Sequence, residues 1–214
     1  MKVLEYAPGR YDKGIRALTL GGLYRAYDRL TSHIEEGQKV LDLGCGTGGL
    51  TLRAALKGAK VKGIDINQQM LDIARGKIVE AKLASKVEVC EMGVAELGGE
   101  RRESYDVVMG GLCLSELTED ELTYALRQVK EILKPAGLLL IADEVRPKSI
   151  SKLMLNWLIR LPLVVFTYLI TQATTKPVMD LPEKIQGAGL VIESVRLSRM
   201  EDFIELVARK PKGG

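Results

Sequence analysis

The sequence predicts an α/β protein built on a doubly wound, seven-stranded sheet, and three observations support this fold class. From Lys39 onward, short β-branched runs alternate with longer stretches of helical periodicity, which is typical of right-handed βαβ units in a parallel sheet. The first of these strands runs into a glycine-rich turn, Gly44 to Gly49. Near the C-terminus, two strand-like runs are separated by only five residues. Because a parallel crossover needs a much longer connection, these two strands form an antiparallel hairpin at a sheet edge.

The parallel part of the sheet is predicted to contain five strands: Lys39–Leu43, Lys60–Ile64, Lys86–Glu91, Tyr105–Met109 and Leu138–Ala142. Three helices are predicted between them: Gly49–Lys57, Gln68–Lys82 and Glu119–Leu133. Asn67 is placed to cap the second helix, and Thr118 with Glu121 has the spacing of a capping box for the third. The stretch 134–137, Lys-Pro-Ala-Gly, is predicted to end the third helix and turn into the next strand.

The two ends of the chain depart from this alternation. A short helix is predicted to begin at Asp180 and to end at glycines 187 and 189, before the hairpin strands Val191–Leu197 and Phe203–Ala208. Before the first strand, Tyr11–Leu30 carries aromatic and apolar residues at helical spacing. This spacing predicts an N-terminal helical extension within residues 1–38.

Composition narrows the possible functions. A chain of 214 residues suits a single domain spanning 1–214, and a net charge of +3 is too small to argue for nucleic acid. Three widely spaced cysteines and one histidine predict neither a disulfide framework nor a metal site, so we expect a reducing, cytoplasmic setting. The first residues contain no apolar core of signal-peptide length.

The glycine-rich turn is the strongest functional signal. Gly44, Gly46 and Gly49 satisfy the dinucleotide pattern GxGxxG, and Asp65 ends the second strand where an acid can bind ribose hydroxyls. Asp42, two residues before the first glycine, distinguishes a dinucleotide from a cationic cofactor as the ligand of this turn. A carboxylate there repels a pyrophosphate but attracts an ammonium and a sulfonium, which favours S-adenosylmethionine. A nicotinamide-dependent oxidoreductase is the remote alternative.

On these residues the sequence resembles the class I S-adenosylmethionine-dependent methyltransferases, over roughly Lys39 to Lys210. Residues 42–48 match the first motif of that family, 105–108 its fourth-strand motif and 133–137 the approach to its fifth strand. The resemblance implies a Rossmann-like fold, with S-adenosyl-L-methionine as cofactor and S-adenosyl-L-homocysteine as product. It also implies a cofactor-binding set: Asp42, Gly44, Cys45, Gly46, Gly48, Asp65, Ile66, Val94, Ala95 and Gly110.

Two positions depart from the family pattern. Val94 stands where the family commonly has an aspartate that binds the adenine amine. Glu116 stands where a histidine often lies, and it is either a solvated residue before the Thr118 cap or an acceptor-site acid and general base. Asp143 and Glu144, at the end of the fifth strand, are further candidates for a base.

The N-terminal extension contains the densest aromatic group of the chain. Its members, with one arginine, are Tyr6, Tyr11, Arg16, Tyr24 and Tyr27. In related small-molecule methyltransferases a helix in this place closes over the cofactor, and the alternative is that these residues only anchor the helix. Tyr11 is the preferred contact, because Gly9 and Gly14 flank it, and it joins Glu116 as a candidate catalytic residue.

An apolar, basic insert is predicted between the fifth and sixth strands, at residues 145–176. It carries five positive charges and no acid, so the remaining chain has a net charge of −2. Its run Leu153–Ile170 contains Trp157 but is interrupted by Arg160 and Pro162, which argues against a membrane span and for a bent helical pair. Core packing, a lid over an apolar acceptor, and a peripheral membrane or protein contact remain three open interpretations.

The layout of extension, core and insert resembles ubiquinone/menaquinone-biosynthesis C-methyltransferases and related phospholipid methyltransferases. Segments 160–163 and 174–177 also resemble methyltransferases that accompany corrinoid proteins. We therefore expect methyl transfer to a small-molecule or lipid-like acceptor by direct in-line displacement. The alternative from a different class is a non-catalytic, cofactor-binding accessory protein that acts with a partner such as a corrinoid protein.

Overall fold

The computed structural model describes residue 19, residues 21–147 and residues 177–212. The helices in these ranges are α1 (Gly22–Thr31), α2 (Gly49–Leu56), α3 (Gln68–Glu80), α4 (Glu119–Ile132) and α5 (Leu181–Gly187). The strands are β1 (Lys39–Leu43), β2 (Lys60–Asp65), β3 (Val87–Glu91), β4 (Tyr105–Gly111), β5 (Leu133–Glu144), β6 (Val191–Leu197) and β7 (Phe203–Arg209). Short 3-10 helices cover Val94–Gly99 and Leu114–Glu116.

The strands form one sheet in the order β3-β2-β1-β4-β5-β7-β6. Strands β1 to β5 are parallel, and β7 pairs antiparallel with both β5 and β6. The predicted doubly wound sheet with its C-terminal antiparallel hairpin is therefore confirmed. The strand order reverses between β1 and β4, and ligands of such sheets bind outside the carboxyl ends of the strands at that point.

Helices cover both faces of the sheet. On one face, α1, α2 and α3 bury Tyr27, Leu50 and Ile78 in a single cluster. On the other face, α4 and α5 bury residues such as Leu122 and Ile185. Each such side chain contributes about 1.5–3 kcal/mol by leaving water, so the layers hold the strand ends in fixed relative positions.

The predicted helix starts of α3 and α4 are confirmed. The Asn67 side chain accepts hydrogen bonds from the backbone N–H groups of Gln69 and Met70, at 3.1 and 3.3 Å. Thr118 and Glu121 form the complete capping box. Asp180 precedes α5 as predicted, but its φ is +50° and its side chain makes no capping bond.

The fifth strand begins earlier than predicted. Helix α4 ends at Ile132 and β5 begins at Leu133, so the predicted turn at 134–137 lies inside the strand as an irregularity. The register between β4 and β5 shifts here, because Tyr105 pairs with Leu133 whereas Val107 pairs with Leu138. Lys134 binds the Asp106 carboxylate at 2.7 Å, which holds the irregular segment against β4.

Two predicted segments fall mainly outside the described residues. The N-terminal extension is described at residue 19 and from residue 21, where α1 forms; Tyr6, Tyr11 and Arg16 lie outside. Most of the insert, residues 148–176 with Trp157, also lies outside. Among the helices of the described ranges, none has both the length and the apolar character to cross a membrane.

Candidate active site

The loop after β1 is shaped by its glycines. Gly44 has a φ of +57°, and a methyl group on its Cα would lie 2.5 Å from Cβ of Cys113. Gly46 also has a positive φ, of +52°, but a methyl group there would meet no atom within 4 Å. The loop therefore packs closely against the segment after β4 at Gly44 and faces open space at Gly46, where a ligand can approach the backbone.

Asp65 joins the end of β2 to this loop. One carboxylate oxygen accepts a hydrogen bond from the Gly46 backbone N–H at 2.8 Å, and the other accepts one from the Asn67 N–H at 2.8 Å. The next side chain, Ile66, is 76% exposed and lies beside Gly93, after β3. A partly exposed carboxylate and an exposed apolar side chain thus stand side by side at the carboxyl edge.

Asp42 is buried directly beneath the loop. Its Oδ2 accepts a hydrogen bond from the Thr51 hydroxyl at 2.5 Å. Its Oδ1 is buried and has no hydrogen-bond partner within the described part of the chain. Burial disfavours the charged form and raises the pKa of Asp42 to about 7. An unpaired buried acceptor costs free energy, and a cationic donor next to it removes that cost.

Tyr27 of α1 closes one side of the space above Asp42. A small pocket there is lined by Tyr24, Tyr27, Asp42 and the loop residues 44–47 and 49. A methyl group at Gly49 would lie 3.2 Å from the Tyr27 ring, and one at Gly111 would overlap the Tyr27 hydroxyl. Because both glycines leave room for it, the tyrosine ring lies between the loop and the end of β4.

A larger cavity of about 490 Å³ opens beside this pocket, and we call it the acceptor cavity after the role that we propose for it under Proposed function. Leu23 lines both spaces; Gly111 lines the small pocket and Leu112 the cavity. The cavity is bounded by α1, the ends of β4 and β5, and the turn between β6 and β7. Leu112 has a φ of +60°, an unusual backbone conformation for a bulky side chain, and its N–H is bonded to the Ala142 carbonyl at 2.9 Å.

Comparison with known proteins agrees with this geometry. A family model described as a methyltransferase domain matches residues 40–137. A methyltransferase of Synechocystis sp. named sll0829 is 31% identical over 161 residues, which cover 74% of this chain and 69% of the relative. The chain belongs to the class I S-adenosylmethionine-dependent methyltransferases. The methyl donor of this family is S-adenosylmethionine.

Further matches extend the likeness. The ubiquinone/menaquinone biosynthesis C-methyltransferase UbiE of Vibrio vulnificus is 32% identical over 152 residues, covering 68% of this chain. The aligned part spans 57% of that relative, so less than two thirds of its length is represented. A solved S-adenosylmethionine-dependent methyltransferase from Aquifex aeolicus superposes with a TM-score of 0.67 at 18% identity, covering 95% of this chain and 98% of the other. At that identity the likeness concerns the fold.

The described residues fit the family's cofactor. The unpaired Oδ1 of Asp42 suits a cationic group, the open face of Gly46 admits a ligand against the backbone, and exposed Ile66 offers an apolar surface. Val94 is partly buried against the core and Ala95 is exposed, both in the 3-10 helix beyond Ile66. The remaining predicted positions, Cys45, Gly48 and Gly110, lie in the loop or beside it in β4.

The acidic candidates for a base are in different settings. Glu116 is exposed in the 3-10 helix after β4. Asp143 is buried and accepts the N–H groups of Leu114 and Glu144, both at 2.7 Å, so it holds the loop after β4. Burial raises the pKa of Asp143 to about 6. Glu144 is buried and lines the acceptor cavity. Tyr11 lies outside the described residues.

Several contributors to the site were missed from the sequence. Thr51 lies in the helix after the loop, and its position in the sequence does not indicate that its hydroxyl donates a hydrogen bond to Asp42. Leu112 gives no sign of its positive φ. Arg196 and Phe203 line the acceptor cavity because β7 returns beside β5, a contact between distant parts of the chain. Within the described ranges, no three His, Cys, Asp or Glu side chains are grouped so that they could hold a metal ion.

Proposed function

We propose that this methyltransferase transfers the methyl group of S-adenosylmethionine to a small-molecule acceptor bound in the acceptor cavity. The observation that carries the proposal is the junction at Gly111 and Leu112. The first residue lines the pocket over Asp42, and the second lines the cavity. A donor above the glycine loop and an acceptor in the cavity are therefore neighbours across one peptide unit of β4.

We propose that different residues bind the methionine, ribose and adenine parts of the cofactor. Asp42 faces the cationic methionine end, and the backbone from Gly44 to Gly48 cradles it. Asp65 accepts hydrogen bonds from the ribose hydroxyls, which is the role of the acid at the end of the second strand in this fold. Ile66 packs against the adenine, with Val94 and Ala95 beside the ring. Because Val94 has no polar group, adenine recognition relies on backbone groups and packing.

The bound cofactor supplies a methyl group already activated at a sulfonium centre. The chain's own task is then to align the acceptor and to exclude water. Tyr27 and Leu112 form walls at the junction between pocket and cavity. If the acceptor must lose a proton, Glu144 is the better placed base, because it is one of the residues that line the cavity, whereas Glu116 is exposed outside it.

The acceptor class is proposed from the cavity and from the relatives' names. Leu23, Leu112, Leu197 and Phe203 form the apolar part of a cavity whose other lining residues are mostly polar or charged, and this part suits an aromatic or lipid-like body. Quinols are the first acceptors to test, since the Vibrio relative is named for ubiquinone and menaquinone biosynthesis. A peripheral membrane or protein contact through residues 145–176 remains part of the proposal.

The test combines binding with turnover. We expect S-adenosylhomocysteine, and not NAD, to bind the full chain in calorimetry. With S-adenosylmethionine present, we expect S-adenosylhomocysteine release on at least one acceptor among quinols, phenols, amines and phospholipids. Binding of NAD alone would overturn the assignment of the cofactor. Cofactor binding without turnover on any of these acceptors would favour the accessory protein over the enzyme.

A further inference from the structure

The acceptor cavity has a cationic side that the proposed function does not explain. Four arginines line it: Arg25, Arg29, Arg196 and Arg199. Three carboxylates line it as well: Glu144, Asp202 and Glu205. Whether this surface is electropositive depends on which of these charges are already paired.

The Glu205 carboxylate is saturated by Arg29. The guanidinium of Arg29 donates from Nε at 2.7 Å and from Nη2 at 2.5 Å to the two carboxylate oxygens, a bidentate pair that joins α1 to β7. Arg196 lies farther away, with its Nε 3.9 Å from Oε1 of Glu205. It is therefore a second cation beside a carboxylate whose charge is already balanced.

The turn between β6 and β7 adds another cation. Asp202 is engaged within the turn, because its carboxylate accepts a hydrogen bond from the Ser198 hydroxyl at 2.6 Å. Arg199 is exposed and makes no hydrogen bond or ion pair with any other described residue. Arg196 and Arg199 thus both line the cavity near the β6–β7 turn. Of the three acidic residues, Glu205 is paired with Arg29 and Asp202 is bonded within the turn, whereas Glu144 lies at the end of β5.

Apolar side chains stand beside these arginines. Phe203 and Leu197 line the same cavity, and Leu112 lines it at the junction with the cofactor pocket. A molecule that fills the cavity therefore meets apolar surface at Leu112, beside the cofactor pocket, and again at Leu197 and Phe203, which flank the β6–β7 turn and its positive charge. Arginine is the side chain best suited to bind carboxylate and phosphate oxygens, because its planar fork donates two parallel hydrogen bonds.

We propose that Arg196 and Arg199 bind an anionic group of the methyl acceptor, a carboxylate or a phosphate, while the apolar body of that acceptor lies against Leu112 and Phe203. The acceptor is then an amphipathic acid, with its charged end at the β6–β7 turn and its nucleophilic atom toward Gly111. This inference rests on the proposed function and names the substrate class of the same site.

The test is a binding measurement on the full chain saturated with S-adenosylhomocysteine, with phenyl phosphate as the soluble probe. We expect saturable binding that the double substitution Arg196→Gln and Arg199→Gln weakens by about tenfold or more, because two charge-assisted contacts are lost. Arg127→Gln is the matched control, since Arg127 is exposed on α4, on the opposite face of the sheet. Benzyl alcohol, which lacks the charge, should bind more weakly than phenyl phosphate and should not distinguish the variants.

A second arm separates a lipid headgroup from a soluble acid. Sedimentation with dioleoylphosphatidylglycerol vesicles is compared with dioleoylphosphatidylcholine vesicles. If the double variant loses binding to the anionic vesicles as well as to phenyl phosphate, the anion is a lipid headgroup. If it loses phenyl phosphate alone, the acceptor is a soluble acid. Unchanged binding of phenyl phosphate by the double variant, or no saturable binding by the unmodified chain, overturns the inference.

These outcomes are distinct from failure of the proposed function. Absence of S-adenosylhomocysteine binding would remove the methyltransferase proposal itself. Normal cofactor binding, with phenyl phosphate bound equally well by the double variant and the unmodified chain, would leave that proposal standing and remove only the anion site. Both arginines are exposed, so we expect the variant to fold, and its melting temperature checks this.

Discussion

The Asp65 carboxylate and the Gly46 backbone N–H are hydrogen-bonded at 2.8 Å, which ties the end of β2 to the loop after β1. The two residues follow or end adjacent parallel strands, at the carboxyl edge of the sheet. A carboxylate in this position can orient the loop in the free protein and accept ribose hydroxyls in the complex. Loss of the carboxylate should therefore affect the cofactor more than the fold.

The first prediction concerns Asp65→Ala. We expect the affinity for S-adenosylhomocysteine to fall by about tenfold to a hundredfold, because one or two hydrogen bonds to a charged group are lost. Calorimetry on both proteins measures this. Asp72→Ala is the matched control, since Asp72 is an exposed α3 residue paired with Arg75. Unchanged affinity in Asp65→Ala would show that the ribose binds elsewhere.

A second prediction follows from the raised pKa of Asp42, about 7 in the free protein. A cationic ligand at Oδ1 lowers that pKa, so binding releases a proton when the pH lies between the lowered pKa of the complex and about 7. The affinity for S-adenosylhomocysteine should then rise with pH, by up to about tenfold per pH unit below 7, and level off above it. Titrations in two buffers of different ionisation enthalpy measure the released proton. The same slope in Asp42→Asn would assign the effect to another group.

The third prediction has the opposite sign and concerns stability without cofactor. The folded state raises the pKa of Asp42 above its unfolded value near 3.9, so the folded protein holds the proton more tightly. The free energy of unfolding, relative to that of Asp42→Asn, should decrease as the pH rises from about 4 to about 7, by on the order of 1.4 kcal/mol per unit at most. Urea unfolding of both proteins at several pH values provides the comparison. A difference that grows with pH would contradict the assignment.

The fourth prediction tests the contact between Tyr27 and Gly111. Gly111→Ala places a methyl group where the Tyr27 hydroxyl lies, and we expect a destabilisation of about 1–3 kcal/mol from overpacking. The same substitution in a Tyr27→Ala background should cost less, because the obstructing ring is gone. Chemical unfolding of the four proteins of this cycle gives the coupling energy. Equal costs in the two backgrounds would mean that the ring does not lie at β4.

The fifth prediction compares two glutamates on the best acceptor found in the turnover test. If that acceptor must be deprotonated, Glu144→Gln should lower kcat by about 10² to 10⁴. Glu116→Gln should have a smaller effect, because Glu116 is exposed whereas Glu144 lines the cavity. Initial rates across pH, with KM determined separately, distinguish a lost base from weaker binding. A larger decrease in kcat for Glu116→Gln than for Glu144→Gln would indicate that Glu116 is the base.

The sheet was predictable because its signals are local. β-branched runs, the Asn67 cap and the Thr118–Glu121 box each depend on residues close in sequence, and all three predictions hold. The predicted start of β5 was wrong because a contact with a distant part of the sequence decides where this strand begins. Lys134 binds Asp106 on the neighbouring strand, and that tertiary contact keeps the segment in the sheet despite Pro135.

The candidate site also has features that the sequence predicts and features that only tertiary packing reveals. The glycine loop, Asp42 and Asp65 were all identified from spacing and charge. The unpaired Oδ1 of Asp42 and its bond to Thr51 required the packing of α2 against β1. Glu144 could not be preferred to Glu116 from the sequence, because both follow strands and only packing shows which of them is buried beside a cavity.

By itself, the sequence determined the fold class and the family, and it predicted the place of the cofactor, because periodicity, turn glycines and charge act over short stretches of chain. Only the tertiary structure decided where the acceptor cavity lies and what lines it. Leu23, Leu112, Glu144 and Arg196 are far apart in sequence and meet because β7 returns antiparallel beside β5 while α1 packs over the same edge. Such a cavity depends on relative positions in space, which no local pattern encodes.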